Sequence, residues 1–344
     1  MAKILVTGGA GFIGSHTVVE LQKEGFEVVI VDNLSNSNID VLNGIEKITG
    51  IRPSFENIDC LDYVGMDRMF EKYANIEGII HFAASKAVGE SVEKPLLYYR
   101  NNLVSLINIL QLMPIHHVKN LVFSSSCTVY GQPDVLPVTE EAPIKVALSP
   151  YGNTKQICEE IINDTAYKNQ NYNSIILRYF NPIGAHSSAE IGELPNGVPN
   201  NLLPFVTQTA IGLRKQLQVF GDDYNTPDGS CIRDYIHVVD LAKAHVIAIK
   251  RQLENRMKEQ VEVFNLGTGK GLSVLDIINT FEKVNNVKVP YKIVARREGD
   301  IEKVWAEPYY ANNELGWVAE ETVEETLRSA WVWEQNLAKR VKAE

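Results

Sequence analysis

The sequence predicts an α/β protein: a doubly wound parallel sheet followed by a smaller mixed α/β C-terminal lobe. Three observations carry this expectation. Short apolar runs alternate with helical patterns over roughly the first half of the 344 residues, as in a parallel sheet covered by helices on both faces. The first run bends into a helix through three evenly spaced glycines, Gly8, Gly11 and Gly14. Beyond Asn181 the texture turns rich in Pro, Gly and Asn, with one convincing helical pattern, near 202–213, before residue 236.

The first apolar run, from Ile4, reads as a buried strand, and a helical pattern starts almost at once at Ser15. Gly8 takes the turn out of the strand, Gly11 lets the backbone approach a pyrophosphate, and Gly14 lets the helix pack closely on the strand. The unpaired N–H groups of the helix start then face the phosphates. Because the triplet follows a strand and opens a helix, it predicts a dinucleotide-binding Rossmann turn. A second buried strand, 26–31, ends in Asp32, 18 residues past Gly14. That is near the spacing of an acid that bonds the adenosine ribose; the structural alternative is a strand-end turn residue. The following Asn33, Leu34, Ser35, Asn36 and Ser37 include no Lys or Arg to receive a 2′-phosphate, which favours NAD over NADP.

The alternation continues with a helix near 39–48, a strand at 54–58, a helix near 63–73, a strand at 78–84, a long helix at 95–112 and strands at 120–124 and 174–180. Asp59 and Cys60 stand where a strand end would touch adenine. The run 236–250 is strongly helical and 261–266 reads as another buried strand; this pair is expected to rejoin the first sheet. The expected division is an NAD-binding Rossmann domain over 1–181, joined by 236–266, and a substrate-binding lobe over 182–344. In the terminal amphipathic helix, near 323–337, Trp331 and Trp333 read as packing residues.

Bulk properties narrow the function. A net charge of −10 argues against nucleic acid as a partner. An anionic ligand must then be held by helix N-termini and a few placed cations. Cys60, Cys127, Cys158 and Cys231 form no Cys-x-x-Cys pair and the seven histidines no ligand cluster, so neither metal nor disulfide is expected. No apolar stretch is long enough to cross a bilayer, and the first strand leaves no room for a signal peptide; a cytoplasmic protein is expected.

Around residue 150 lies the second strong motif. Ser149 suits a helix N-cap and Pro150 the first helical position. Tyr151 and Lys155 then fall four apart on one helix face. A free tyrosine, with a pKa of about 10, is a poor base near neutrality. An adjacent ammonium favours its phenolate, and a positively charged nicotinamide favours it further. Alone, Tyr-x-x-x-Lys occurs by chance in many helices. Upstream, however, Ser124, Ser125, Ser126 and Thr128 place hydroxyls at a strand's C-terminal end, where open α/β sheets put their ligands.

The glycine turn, the hydroxyl-rich strand end and the Tyr–Lys pair together resemble the extended short-chain dehydrogenase/reductase superfamily. Within it the chain is most similar to the UDP-glucose 4-epimerase (UDP-galactose 4-epimerase) family. The matching stretches are 7–17, 32–34, 81–83, 86–91, 124–131, 149–155, 178–185, 199–204, 233–240 and 296–300, so the resemblance runs essentially from end to end.

The resemblance implies an isomerase of galactose metabolism that interconverts UDP-glucose and UDP-galactose through a 4-keto sugar. Hydride passes from sugar carbon 4 to a tightly held NAD⁺ while Tyr151 takes the hydroxyl proton, and hydride returns to the other face. Lys155 would depress the Tyr151 pKa and bond the nicotinamide ribose. Ser126 would bond the reacting oxygen, with Thr128 as a second candidate. Implied cofactor contacts beyond the glycines and the catalytic trio are Phe12, Ile13, Asp32 to Ser37, Asp59, Cys60, Phe82, Ala83, Ala84, Ser85, Lys86, Asn101 and Phe180. Implied substrate contacts are Lys86, Ser126, Thr128, Tyr151, Asn181, Asn201, Leu202, Gln218, Val219, Phe220, Arg233, Arg297, Asp300 and Val304. The first helix N-terminus and Lys86 would serve NAD, and Arg233 and Arg297 the UDP diphosphate. A homodimer formed through the helices near 95–112 and 152–167 is also implied.

Two departures from the family pattern stand out. Ala84 and Ser85 replace its usual Gly-Leu, and Val304 stands where bacterial members restricted to plain hexoses carry tyrosine. The smaller valine extends the expectation to UDP-N-acetylglucosamine and UDP-N-acetylgalactosamine. Among rivals, a nucleotide-sugar 4,6-dehydratase needs a carboxylate pair just past this strand end, and none lies between Ser126 and Gly131. A 4-epimerase of UDP-uronic acids or UDP-pentoses differs by only a few pocket residues. A catalytically dead NAD-sensing protein has no need of Tyr151, Lys155 and Ser126.

Overall fold

The structure, a computed structural model, describes residues 2–169, 171–297 and 300–343. Strand β1 (Lys3–Thr7) leads through the glycine turn into helix α1 (Phe12–Lys23). Alternating elements follow: β2 (Glu27–Val31), α2 (Val41–Thr49), β3 (Ser54–Glu56), α3 (Tyr63–Lys72), β4 (Ile76–His81), a short α4 (Val88–Glu93), α5 (Pro95–Ile115) and β5 (Asn120–Ser126). After a 3-10 turn at Cys127–Tyr130 and a long loop come α6 (Pro150–Lys168), β6 (Asn173–Tyr179) and β7 (Asn181–Ile183). The remainder comprises α7 (Leu202–Ala210), β8 (Leu217–Phe220), β9 (Ile232–His237), α8 (Val238–Leu253) and β10 (Val261–Leu266). It closes with β11 (Gly271–Ser273), α9 (Val274–Asn285), β12 (Tyr291–Val294), β13 (Lys303–Val304) and α10 (Val323–Ala343).

Seven strands make one parallel sheet in the order β10-β6-β5-β4-β1-β2-β3. Side chains alternate across it with the period of a strand. Ile4 and Val6 of β1, with Val28 and Ile30 of β2, face a core shared with α1, α2 and α8. Leu5, Val29 and Val31 face the opposite core with α3, α5 and α6. Both faces are covered, so the strands are nearly continuous apolar runs. The chain runs outward from β1 in both directions, and the crevice between β1 and β4 is the switch point where such sheets bind ligands.

A second unit stands over the C-terminal ends of these strands. β7, β9, β11 and β13 form a four-stranded sheet, and β8 pairs with β12. Its core joins α7, α9 and α10 through Leu203, Val206, Ile277, Phe281 and Leu327. Trp333 is buried, and Trp331 packs edge-on against Phe281. These short pairings, α9 and a π-turn at Ala311–Leu315 are absent from the sequence reading. Helix α9 had a readable start, because Ser273 and Asp276 form a reciprocal capping box. Ala311, Leu315 and Trp317 do not stay with this lobe. They pack in the core beside α1 and α8, where the Trp317 indole donates to the Asp240 carbonyl (2.8 Å).

Candidate active site

The glycine turn is shaped by close backbone approach. Gly8 has φ +69°, and a Cβ there would lie 2.8 Å from the Ala83 nitrogen at the end of β4. A Cβ on Gly14 would fall 2.2 Å from the Gly8 carbonyl oxygen. Gly11 caps α1 with no side-chain hydrogen bond, and the first turn holds no acid. Helices α3, α6 and α9 are each capped by a side chain, from Asp62, Ser149 and Ser273. The uncapped donors of α1, with Phe12 and Ile13 in its first turn, are therefore suited to an anionic group.

Asp32, at the end of β2, accepts from the Ala10 nitrogen (3.1 Å), the Leu34 nitrogen (2.9 Å) and the Ser37 hydroxyl (2.8 Å). It thus clamps the glycine turn to the loop that carries Asn33 to Ser37. Asn33 donates to Asp59 (3.0 Å), which gathers the β2 and β3 ends. Cys60 is buried, and its carbonyl accepts from Asn108 (2.9 Å). Past Phe82, Ser85 is latched to α5. Its N–H donates to Asn102 Oδ1 (2.8 Å), and its hydroxyl accepts from Asn101 (3.0 Å). Asn102 also donates to Thr154 on α6 (3.0 Å), joining the loop after β4 to the helix that bears Tyr151 and Lys155. An uncapped helix start, a strand-end carboxylate and a following loop without Lys or Arg fit NAD.

The side chains expected to be catalytic lie at the C-terminal end of β5 and the start of α6. Ser149 accepts from the Gly152 nitrogen (3.1 Å) and starts the helix at Pro150, so Tyr151 and Lys155 face β5. Lys155 is buried and donates to the Ser124 carbonyl (2.6 Å); its nitrogen lies 4.8 Å from the centre of the Phe123 ring and 5.9 Å from that of Tyr151. Burial pulls its pKa down to about 8. Burial raises the Tyr151 phenol above its ordinary value, Tyr179 adds to the rise, and a hydrogen bond with Ser126 opposes it. Lys155, expected from the resemblance to lower the Tyr151 pKa, holds its ammonium on the Ser124 carbonyl and 5.9 Å from the centre of the Tyr151 ring. Thr128 donates its N–H to the Ser126 hydroxyl (3.3 Å), while its own buried hydroxyl oxygen has no partner among the described residues.

In the second lobe two arginines share one carboxylate. Arg297 grips Asp300 through two nitrogens (2.6 and 3.2 Å), and Arg233 on β9 lies 3.7 Å from the same carboxylate. Arg297 also covers the Phe220 ring at 5.7 Å. On β8, Gln218 and Phe220 are exposed, whereas Val219 points into the lobe's core and can offer a ligand only its main chain. Lys86 and Asn201 converge on Glu193, at 3.5 and 2.5 Å; Leu202 packs on the lobe's core, and Asn181 opens β7. Val304 is not an open gap. It is 1% exposed, in a cluster with Cys127, Tyr130, Val138, Phe180 and Ala306.

Several residues at this site escaped the sequence reading: Glu193, Asn102, and a buried pair, Glu159 and Arg178, behind Tyr151 and Lys155. Glu159 had a visible signal, since it lies four residues past Lys155. Among the described residues no group of three metal-ligating side chains occurs.

The family model described as GDP-mannose 4,6 dehydratase matches residues 5–330. UDP-glucose 4-epimerase from Haemophilus influenzae is 50% identical over 333 residues, covering 97% of each chain. The crystal structure of UDP-glucose 4-epimerase from Bifidobacterium longum, in complex with NAD⁺ and UDP, is 47% identical with a TM-score of 0.94, over 97% of this chain and 98% of that one. A UDP-glucose 4-epimerase from Stenotrophomonas maltophila, with bound NAD and formylated UDP-arabinopyranose, is 46% identical with a TM-score of 0.94, over 99% of this chain and all of that one. The chain belongs to the UDP-glucose 4-epimerase family. It is an enzyme of the extended short-chain dehydrogenase/reductase superfamily. The dehydratase in the family model's description does not transfer to this epimerase-family site, because residues 127–130 read Cys-Thr-Val-Tyr and hold no carboxylate.

Lys155 provides a test of the site's electrostatics. Its folded pKa of about 8 lies below the ordinary 10.5. The unfolded chain therefore binds more protons between these values, and stability rises with pH across that window. Below about 8 the buried charge costs its full amount. Lys155→Met should melt at a higher temperature than the natural protein at pH 7, the gap closing towards pH 10.5, while turnover falls by a factor of ~100 or more. Scanning calorimetry against pH checks the first part. A lower melting point at pH 7 contradicts it.

Proposed function

We propose that the chain interconverts UDP-glucose and UDP-galactose, with NAD as a resident cofactor. One observation carries the reading. Tyr151 and Lys155 lie on one helix face against the hydroxyl-rich end of β5, beside a sheet that opens on a glycine turn, and Arg233 and Arg297 share Asp300, in a chain about half identical to UDP-glucose 4-epimerases. The donors of α1, Asp32 and the loop at 82–86 hold the cofactor. The chemistry that NAD supplies when bound is reversible acceptance of hydride from sugar carbon 4.

The chain's own residues move the proton and hold the sugar. Tyr151 takes the proton of the carbon 4 hydroxyl as the carbonyl forms, and gives it back after the 4-keto sugar has turned over. Ser126 hydrogen-bonds the phenol and the reacting oxygen, and the unpartnered Thr128 hydroxyl is a second donor to that oxygen. Lys155, anchored on the Ser124 carbonyl, holds positive charge near the phenolate and bonds the nicotinamide ribose. Arg233 and Arg297 bind the diphosphate, exchanging part of their contact with Asp300 for phosphate oxygens. Because the diphosphate is gripped far from carbon 4, the keto sugar turns without leaving.

The small side chain of Val304, packed with Cys127 and Phe180 where a tyrosine would need more room, supports the finer reading that the N-acetylated UDP-hexoses are also substrates. The exposed Leu96, Val104 and Ile107 along α5, and Tyr167 on α6, support a homodimer through these helices. Four buried free thiols suit a reducing cytoplasm.

Tyr151→Phe should reduce turnover of UDP-glucose by ~100-fold or more while UDP still binds, read in a coupled assay without added NAD; unchanged turnover removes Tyr151 as the base. Val304→Tyr should lose N-acetyl activity and keep UDP-galactose activity, and equal N-acetyl activity in both proteins sinks the steric reading. Light scattering should give twice the chain mass, and a Leu96→Glu, Ile107→Glu variant the single mass. A natural protein of single mass removes the dimer.

A further inference from the structure

Behind the catalytic face runs a continuous line of buried hydrogen bonds that the reaction itself does not use. Arg178 on β6 holds the Glu159 carboxylate of α6 through Nε and Nη2 (3.0 and 2.6 Å), and Ser125 donates to the same carboxylate (2.5 Å). From Nη1, Arg178 donates to the Tyr130 hydroxyl (2.9 Å). Tyr130 donates to Asn265 Oδ1 at the end of β10 (2.7 Å), and Asn265 Nδ2 donates to the Val138 carbonyl (3.0 Å). None of Glu159, Arg178, Tyr130 and Asn265 is more than 7% exposed.

The line ends beside β13. The Val138 nitrogen donates to the Trp305 carbonyl (2.9 Å), and the Glu307 nitrogen donates back to the Val138 carbonyl (2.8 Å). This pairing holds the stretch just past β13, the strand that presents Val304 in register with Arg233. β13 is two residues long and, among the described residues, pairs only with β9. Two ladder pairs hold a strand weakly. Its continuation has two further attachments, the Ala306 nitrogen on Asp234 (3.2 Å) and the Val138 pairing. The second connects it to the helix bearing Tyr151 and Lys155.

We propose that the Tyr130 hydroxyl and the Asn265 amide are positioning residues for the epimerisation, tying the strand that carries Val304 to the ends of β5 and α6. The inference rests on the epimerase reading above. Each group is poised for this. The Tyr130 hydroxyl accepts from a guanidinium and donates to an amide, so it transmits the place of α6 without freedom to rotate. Asn265 spends its oxygen on Tyr130, its amide nitrogen on Val138, and its backbone nitrogen on Glu140 (2.7 Å). Removing one member leaves its neighbours buried without a partner, which favours a shift of the Val138 pairing. The sugar would then be held off its line to Tyr151 and Ser126, while the diphosphate site on Arg233 and Arg297 stays intact.

Tyr130→Phe deletes one oxygen and keeps the ring. The expected result is a kcat about tenfold lower with UDP-glucose and an unchanged Kd for UDP. Amide exchange at Val138 and Glu307 should be about tenfold faster, with exchange at Ile176 in the sheet unaltered. The double variant Tyr130→Phe, Asn265→Leu should be no worse than Tyr130→Phe alone, as for groups acting as a unit. Natural-like kcat and exchange in a folded Tyr130→Phe protein overturn the proposal, as does a loss of UDP affinity in step with kcat. If Tyr130→Phe does not fold, Asn265→Ser, which is too short to reach Val138, is read in the same way. A natural protein inert on UDP-glucose sinks the epimerase reading instead, and the exchange rates, which need no substrate, then decide whether the tie exists.

Discussion

The contact on which the rest of the site depends is the close passage of the glycine turn past the end of β4. With no Cβ at Gly8, the backbone of the first turn comes against Ala83, and the neighbouring loops at 32–37 and 82–86 can both reach one crevice. A methyl group there would separate β1 from the loop that carries Ser85 and Lys86. Through Asn102 that loop is joined to Thr154, so a displaced turn would also disturb the helix bearing Tyr151. The glycine turn, the loop at 82–86 and the start of α6 therefore share one set of backbone positions.

On the reading proposed above, a chain with a net charge of −10 holds its anionic ligands with few cations. Each is held by a carboxylate: Lys86 by Glu193, Arg233 and Arg297 by Asp300. Two guanidiniums on one carboxylate leave a local excess of one positive charge, already oriented. Arg297 is the half-exposed member of this group, so its contact with Asp300 is the weaker one and the more easily exchanged for a diphosphate oxygen. The buried Glu159–Arg178 pair is different, because removing either partner leaves an uncompensated charge inside the protein.

Much of the sheet was legible because its signals are local. A strand of Val and Ile, a glycine every third residue, and Ser149-Pro150 ahead of Tyr151 each specify their own geometry. Tyr151 and Lys155 share a face by helix spacing alone. What stayed hidden is set by distant partners. Tyr130 meets Asn265 across 135 residues, and Val138 finds the stretch after Val304 through a bridge that no periodicity announces. The two-residue β13 has no room for an alternating pattern, and the direction of the Lys155 hydrogen bond is decided by where the Ser124 carbonyl ends. The side chain of Val304 could be read for its size but not for its packing against Phe180 and Val138.

The placement of Trp317 bears on how the chain is made. Its indole closes onto the Asp240 carbonyl and completes a core begun by Ile4 and Val6 near the other terminus. The edge strand β10 likewise arrives only after the chain has left the sheet and returned. During synthesis the N-terminal half must wait, its apolar faces partly uncovered, until residues past 311 emerge. Such a long-range closure slows folding and exposes sticky surface for longer. A truncation before Trp317 therefore endangers the nucleotide-binding half as much as the lobe it was cut from.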